Sequence, residues 1–319
     1  MKTTFMTTAA VCLVGTAAFA DCGEVSMAEF DWQSAAVNAH IAKFVLEQGY
    51  GCSVSLVPSS TTSAIVSLAE NGTPDVVIEM WENAAGGLLE MREAGSVNFL
   101  TEVLSDGGQQ GWWIPQYLVD EHPELATIDG ILSNPELVGG RFFSCPDGWT
   151  CNYTNSHMAE AAKMEEAGIE VFVPGSGETL GTSLVSAYSN EEPWFGYYWA
   201  PTPVLGQNPM VMVDVGDFDK EAFDCNASED CADPTMSAYP RDAVWTLVTA
   251  EFETREPDAT EMLSNMSVSN QELGAVLAWM DENSASPEEA AVYFLTTYTD
   301  TWASWLNDDA TERLSALLQ

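Results

Sequence analysis

The stretch from Val25 to Trp81 constrains the fold most, because short apolar runs alternate there with amphipathic ones in a fixed order. Val25 to Met27 reads as a short strand, with Phe30-Asp31-Trp32 at its exit. Val37, Ile41, Phe44 and Val45 recur at i, i+4, i+7 and i+8, which sets apolar side chains on one face of a helix. Cys52 to Val57 is a second strand. Pro58-Ser59-Ser60 opens the next helix with a serine cap, and Ile65, Val66 and Leu68 supply its apolar content. Pro74-Asp75 then precedes Val76-Val77-Ile78, a buried strand that ends at Met80-Trp81. A β-α-β-α-β order implies a parallel sheet. Ligands of such sheets sit outside the carboxyl ends of the strands, where Trp32 and Trp81 both fall.

Gly111-Trp112-Trp113-Ile114-Pro115 reads as a crossover into a second unit. That unit holds Phe142-Phe143, the loop from Cys145 to Cys151, a helix near His157 to Ala167, a strand from Glu170 to Val173 and a helix from Thr179 to Tyr188. Pro201-Thr202-Pro203 leads back through Met210 to Val213, and from about Tyr239 the chain reads as helical. Trp245, Trp279, Trp302 and Trp305 lie on apolar faces there and read as core. One α/β unit interrupting another predicts two lobes with a ligand cleft between them. The expected boundaries are 21–112 plus 210–319 for the first lobe and 113–209 for the second.

Lys2, the apolar run from Ala9 to Phe19 and Ala18-Phe19-Ala20 form the pattern of a secretory signal segment, 1–20, with the mature chain expected to start at Asp21. An exported, periplasmic protein follows. Six cysteines remain beyond that segment, Cys22, Cys52, Cys145, Cys151, Cys225 and Cys231, and an even count in an exported chain argues for disulfides. The spacing favours Cys145–Cys151 and Cys225–Cys231 as small loops, leaving Cys22–Cys52 to tie the first strand to the second. A zinc site fits poorly, because His40, His122 and His157 show no ligand spacing to a cysteine pair. Nine Lys and Arg against 49 Asp and Glu give a net charge of −40, which repels nucleic acid and anionic membrane surfaces and attracts cationic solutes.

Glu191 to Pro201 packs five aromatic residues between two prolines. Trp32, Trp81 and Trp149 stand beside turns or strand ends and not on a helix face. Isolated indoles at loop junctions of a very acidic chain suggest a cage for a small cation, held by aromatic faces through the ring quadrupole. The competing reading of each is core packing.

Three segments carry a family resemblance: Asp75 to Trp81, Cys145-Pro146-Asp147-Gly148-Trp149-Thr150-Cys151, and Pro193-Trp194-Phe195-Gly196-Tyr197-Tyr198-Trp199-Ala200-Pro201. Together they resemble the glycine betaine/proline betaine substrate-binding proteins of ABC importers, over nearly the whole mature chain. The acidic, cysteine-bearing loop looks closest to the branch that binds trimethylamine N-oxide. The resemblance implies a two-lobed periplasmic binding-protein fold of the second type, closing on a methylated ammonium ligand. It implies partnership with an inner-membrane ABC permease, a monomeric binder, no catalysis and no catalytic cofactor. Carried over by motif, Trp81, Trp149 and Trp194 match box positions. Trp199 is an alternative to Trp194, and Trp32 is a further wall. The Gly-Trp-x-Cys turn implies that the backbone N–H groups of Thr150 and Cys151 face a ligand oxyanion. Betaine binders of this kind often carry a histidine about four residues after the tryptophan matching Trp81, and here that position is Ala85. This favours a smaller or less anionic ligand than glycine betaine, and Glu136 would suit the oxide. Choline and dimethylsulfoniopropionate are the alternative ligands.

Asp214 to Asp233 forms a dense acidic loop around Cys225 and Cys231. A structural calcium ion is expected there, with Asp217, Asp219 and Asp230 as ligands; the competing reading is a solvated acidic loop. Gly175-Ser176-Gly177-Glu178-Thr179 reads as a helix cap and lacks the lysine of a phosphate loop. Hydrolase motifs of the Gly-x-Ser-x-Gly or His-Glu-x-x-His kind do not occur. An exported carbohydrate-active enzyme or lectin, whose sugars would stack on the same rings, is the remote alternative.

Overall fold

The computed structural model describes residues 22–84 and 86–318. The expected signal segment, 1–20, and Ala85 lie outside these residues. The strands, in chain order, are β1 (Glu24–Phe30), β2 (Ser53–Ser59), β3 (Val76–Trp81), β4 (Val97–Glu102), β5 (Gly108–Pro115), β6 (Arg141–Phe143), β7 (Glu170–Phe172), β8 (Gly196–Ala200), β9 (Met210–Met212), β10 (Arg241–Asp242) and β11 (Val244–Thr249). They form two sheets. The first has the order β2-β1-β3-β11-β4, with β1 parallel to β2 and β3, and β11 antiparallel to β3 and β4. The second has the order β10-β5-β8-β6-β7, with β9 also paired to β5.

The first parallel unit forms as its sequence pattern requires. The helix Gln33–Tyr50 buries Val37, Ile41 and Val45 against the first sheet and ends on Gly51 in the left-handed region. Ser60 caps the helix Thr61–Asn71 by accepting from the Ser63 N–H. Disulfide Cys22–Cys52 ties the entry of β1 to that of β2. Cys145–Cys151 and Cys225–Cys231 close the two short loops.

Several expectations are corrected. Gly111 to Pro115 is not a crossover but the second part of β5, paired antiparallel to β8 as far as Trp113 and to β9 from Trp113 to Pro115. β9 pairs with β5 in the second sheet and does not lead back to the first. By sheet membership the chain passes between the sheets at 103–107 and at Ala243, whereas the expected lobe boundaries are 112/113 and 209/210. Val244 to Thr249, expected to be helical, is a central strand of the first sheet. Trp245 thus lies on a strand, and its Nε1 donates to Glu82 Oε2 at 2.8 Å. The helix expected from His157 to Ala167 runs from Cys151 to Ala161. Trp302 and Trp305 are buried core, whereas Trp279 is half-buried and stacks on Tyr293 at 4.2 Å.

The structure does not support the calcium site expected at Asp217, Asp219 and Asp230. Among the described residues no group of three or more His, Cys, Asp or Glu converges as metal ligands. Asp219 Oδ1 instead caps the helix Lys220–Asn226 by accepting from Ala222 N–H at 3.0 Å, and Asp217 and Asp230 are exposed. Among the described residues no helix is long and apolar enough to cross a membrane.

Candidate functional site

A cavity lies where the two sheets face each other. The first-sheet unit contributes Trp32, from the turn after β1, and Glu79 and Trp81, from the end of β3. The second contributes Trp149, from the loop before Cys151–Ala161, and Tyr197 and Trp199, from β8. Trp32 and Trp81 thus stand at the carboxyl ends of two parallel strands.

The rings meet edge to face. Trp32 and Trp149 have centroids 5.2 Å apart at 71°, and Trp149 and Trp199 are 5.2 Å apart at 76°. Phe30 stacks behind Trp32 at 4.4 Å, and Tyr198 behind Trp199 at 4.6 Å. Two indole N–H groups are tied: Trp32 Nε1 donates to Glu79 Oε1 at 2.6 Å, and Trp149 Nε1 to Asp31 Oδ1 at 2.7 Å. The Asp31 bond crosses between the units, as does Thr62 N–H to Gly148 O at 3.0 Å. Two glycines make room for the rings. A Cβ on Gly108 would stand 2.0 Å from a Trp81 ring carbon, and one on Gly177 would stand 2.8 Å from Trp149.

Glu79 is fully buried, and the sequence reading missed it. The register of β3 against β11 shifts here. Met80 pairs with Trp245 and Val77 with Leu247, so Ile78 and Glu79 together oppose Thr246. Such a bulge re-aims a side chain, and Glu79 adopts a φ of 67°, a left-handed conformation that a non-glycine residue holds at a cost of about 1–3 kcal/mol. Its carboxylate receives Ser34 Oγ at 2.6 Å and Asn38 Nδ2 at 3.0 Å besides the Trp32 indole. Burial raises its pKa, and the hydrogen bonds from Ser34, Trp32, Asn38 and Trp81 oppose the rise.

Thr150 and Cys151 do line the cavity. Thr150 Oγ1 is buried without a hydrogen-bond partner. Among the described residues neither backbone N–H of the pair donates within the chain, and both stand at the start of Cys151–Ala161, the end of a helix that favours negative charge. On the far wall Tyr197 OH donates to Gln110 Oε1 at 2.6 Å, and Gln110 Nε2 to Asp242 Oδ2 at 2.5 Å. Burial pushes the Asp242 pKa up to about 7, against hydrogen bonds from Asn83 and Gln110 and with the Glu82 charge adding to the rise.

Two expected residues are elsewhere. Trp194 is 1 % exposed, stacks on Phe143 at 5.6 Å and 10°, and donates from Nε1 to Ser183 Oγ at 3.0 Å. Trp199 and Tyr197 share one face of β8, whereas Trp194 precedes that strand. Glu136 is exposed on the turn Pro135–Val138 and does not line the cavity.

The family model described as the substrate-binding domain of ABC-type glycine betaine transport systems (OpuAC) matches residues 23–297. The chain belongs to this family. Its members are transporter substrate-binding components and not enzymes. Solved structures agree in fold. An ABC-transporter choline-binding protein in complex with choline superposes with a TM-score of 0.77 at 20 % identity, covering 93 % of this chain and 99 % of its own. The glycine betaine/L-proline-binding protein of Borrelia burgdorferi gives 0.74 at 17 %, covering 91 % and 99 %. Lactococcal OpuAC, closed on glycine betaine, gives 0.69 at 16 %, covering 89 % and 100 %. The two sheets are therefore the lobes of a type II periplasmic binding-protein fold. As a family member the chain works with an ABC permease.

Proposed function

We propose that this protein captures a small methylated ammonium compound in the cavity between its lobes and delivers it, as a periplasmic monomer, to the membrane permease of an ABC importer. One observation carries the reading: four tryptophans and a tyrosine from both lobes converge on one space, which they share with a buried carboxylate. Aromatic faces hold a quaternary ammonium at roughly 0.5–2 kcal/mol per ring, more when water is excluded. The lobes divide at the two crossings, 103–107 and Ala243, and closure is a hinge motion about them.

The ligand head is the methylated nitrogen, and trimethylamine N-oxide or glycine betaine fits the Thr150 hydroxyl and the two free N–H groups through its oxygen. Choline is the second reading. Among the described residues no Lys, Arg or His lines the cavity, so a tail hydroxyl is as well served there as a carboxylate. Dimethylsulfoniopropionate presents a sulfonium head to the same rings.

Calorimetric titration of the mature protein with trimethylamine N-oxide, glycine betaine and choline, with tryptophan fluorescence followed in parallel, tests the proposal. Saturable micromolar binding of at least one, without turnover, is expected. Silence for all of them and for the sulfonium compound, with fluorescence unchanged, would remove the cage reading.

A further inference from the structure

Glu79 brings to the cavity a carboxyl group that no cation balances among the described residues lining it. Trp32, Ser34 and Asn38 each point a proton donor at it within 3.0 Å, and an indole nitrogen can do nothing else. Three donors converging on two oxygens is the pattern of an ionised carboxylate. Ser34 and Asn38 lie one turn apart at the start of Gln33–Tyr50, where the helix dipole also favours negative charge. Trp32, Ser34, Asn38 and Trp81, the groups that face it, are uncharged, and among the described residues no Lys, Arg or His lines the cavity. A buried carboxylate held ionised and without a cation is costly. The bulged, left-handed backbone that delivers it into the cavity adds strain. Both features are accounted for if the missing cation is the ligand.

We propose that Glu79 is the counter-charge of the bound ammonium head, so that the site tells an ammonium from an uncharged tert-butyl group of the same shape through this carboxylate and not through the rings alone. The inference rests on the cage reading above and assigns it a specificity-determining residue. The rings enclose the methyl groups and would accept either head. The carboxylate adds attraction for the charged one and a desolvation cost, unrelieved, for the neutral one.

The test compares each ligand with its carbon isostere: choline with 3,3-dimethylbutan-1-ol, glycine betaine with 3,3-dimethylbutanoate, and trimethylamine N-oxide with tert-butanol. Dissociation constants are measured for the wild type and for Glu79→Gln. The expected result is that Glu79→Gln weakens the charged ligand by tenfold or more and leaves the isostere unchanged or improved. Equal weakening of both, or of neither, overturns the proposal. A wild type that binds none of the three charged ligands overturns instead the cage reading on which it rests. If near-ultraviolet dichroism shows Glu79→Gln to be misfolded, the decisive measurement moves to Asp242→Asn protein, which removes the other high-pKa carboxyl near the cavity. There the affinity for choline or glycine betaine, neither of which titrates near neutral pH or in mild acid, should fall several-fold as the pH is lowered and Glu79, whose pKa burial raises, takes up a proton. Affinity independent of pH sinks the counter-charge.

Discussion

Replacing Trp199 by alanine and replacing Trp194 by alanine should have opposite signatures, although the two residues sit in one short aromatic segment. Trp199 forms a cavity wall, edge to face with Trp149 at 5.2 Å and backed by Tyr198. In the proposed cage its loss removes one desolvated cation–π contact, about 2 kcal/mol, or roughly a thirtyfold rise in Kd. Folding stability should change less, because the vacated space joins a cavity that already exists. Trp194 touches no part of that cavity. It fills the core beside Phe143 and bonds Ser183, so Trp194→Ala should cost about 3–5 kcal/mol of stability with Kd within about twofold for the protein that remains folded. Calorimetry gives the affinities and urea unfolding the stabilities, both on protein whose disulfides are intact. The reasoning is refuted if Trp194→Ala weakens binding as much as Trp199→Ala at the same folded fraction.

Gly108→Ala should push the Trp81 ring out of place, since the new Cβ would stand 2.0 Å from it, and weaken binding about tenfold; indole fluorescence should shift in the unliganded protein. Thr150→Val removes a buried hydroxyl that has no partner within the chain, so a ligand with an oxygen-bearing tail should bind about five- to tenfold more weakly and tetramethylammonium should bind unchanged. The folded-state pKa of Asp242, about 7, lies above its ordinary 3.8, so the native state holds a proton there that the unfolded state has lost, and this group's contribution falls as pH rises from about 4 to 7. Thermal melts across that range should therefore show Asp242→Asn losing less stability than the wild type, by up to a few kcal/mol; parallel curves would contradict the assignment.

The first unit was legible because each of its elements carries a period of its own. Val37, Ile41 and Val45 mark a helix face, Ser60 marks a start, and Val76 to Ile78 is too short and too β-branched for a buried helix. Val244 to Thr249 was lost for the opposite reason. It is a short strand buried on both sides, next to strongly helical sequence, and its partners β3 and β4 lie more than a hundred residues upstream. Gly111 to Pro115 looked like a joint because glycine and proline bracket it, although proline at the end of β5 leaves the pairing with β8 intact. Within the site, Trp32, Trp81 and Trp149 were found from their places at strand ends and turns. Choosing between Trp194 and Trp199 needed the start of β8, which Trp194 precedes. Glu79 left a trace, as the lone charge inside Val76 to Trp81, but the bulge that aims it arises from pairing with a distant strand. In the acidic loop carboxylate density says nothing about convergence, and Asp219 caps a helix start.

The division of the aromatic walls between the lobes sets how the cargo can leave. Trp32 and Trp81 travel with one sheet, Trp149 and Trp199 with the other, and the Asp31–Trp149 bond joins the halves. In the proposed role, parting the sheets dismantles the binding site as a whole: half the rings withdraw and water reaches the cation from one side. Retention and discharge then share a single mechanical coordinate, and a permease that pulls the lobes apart needs no contact with the ligand to empty the protein.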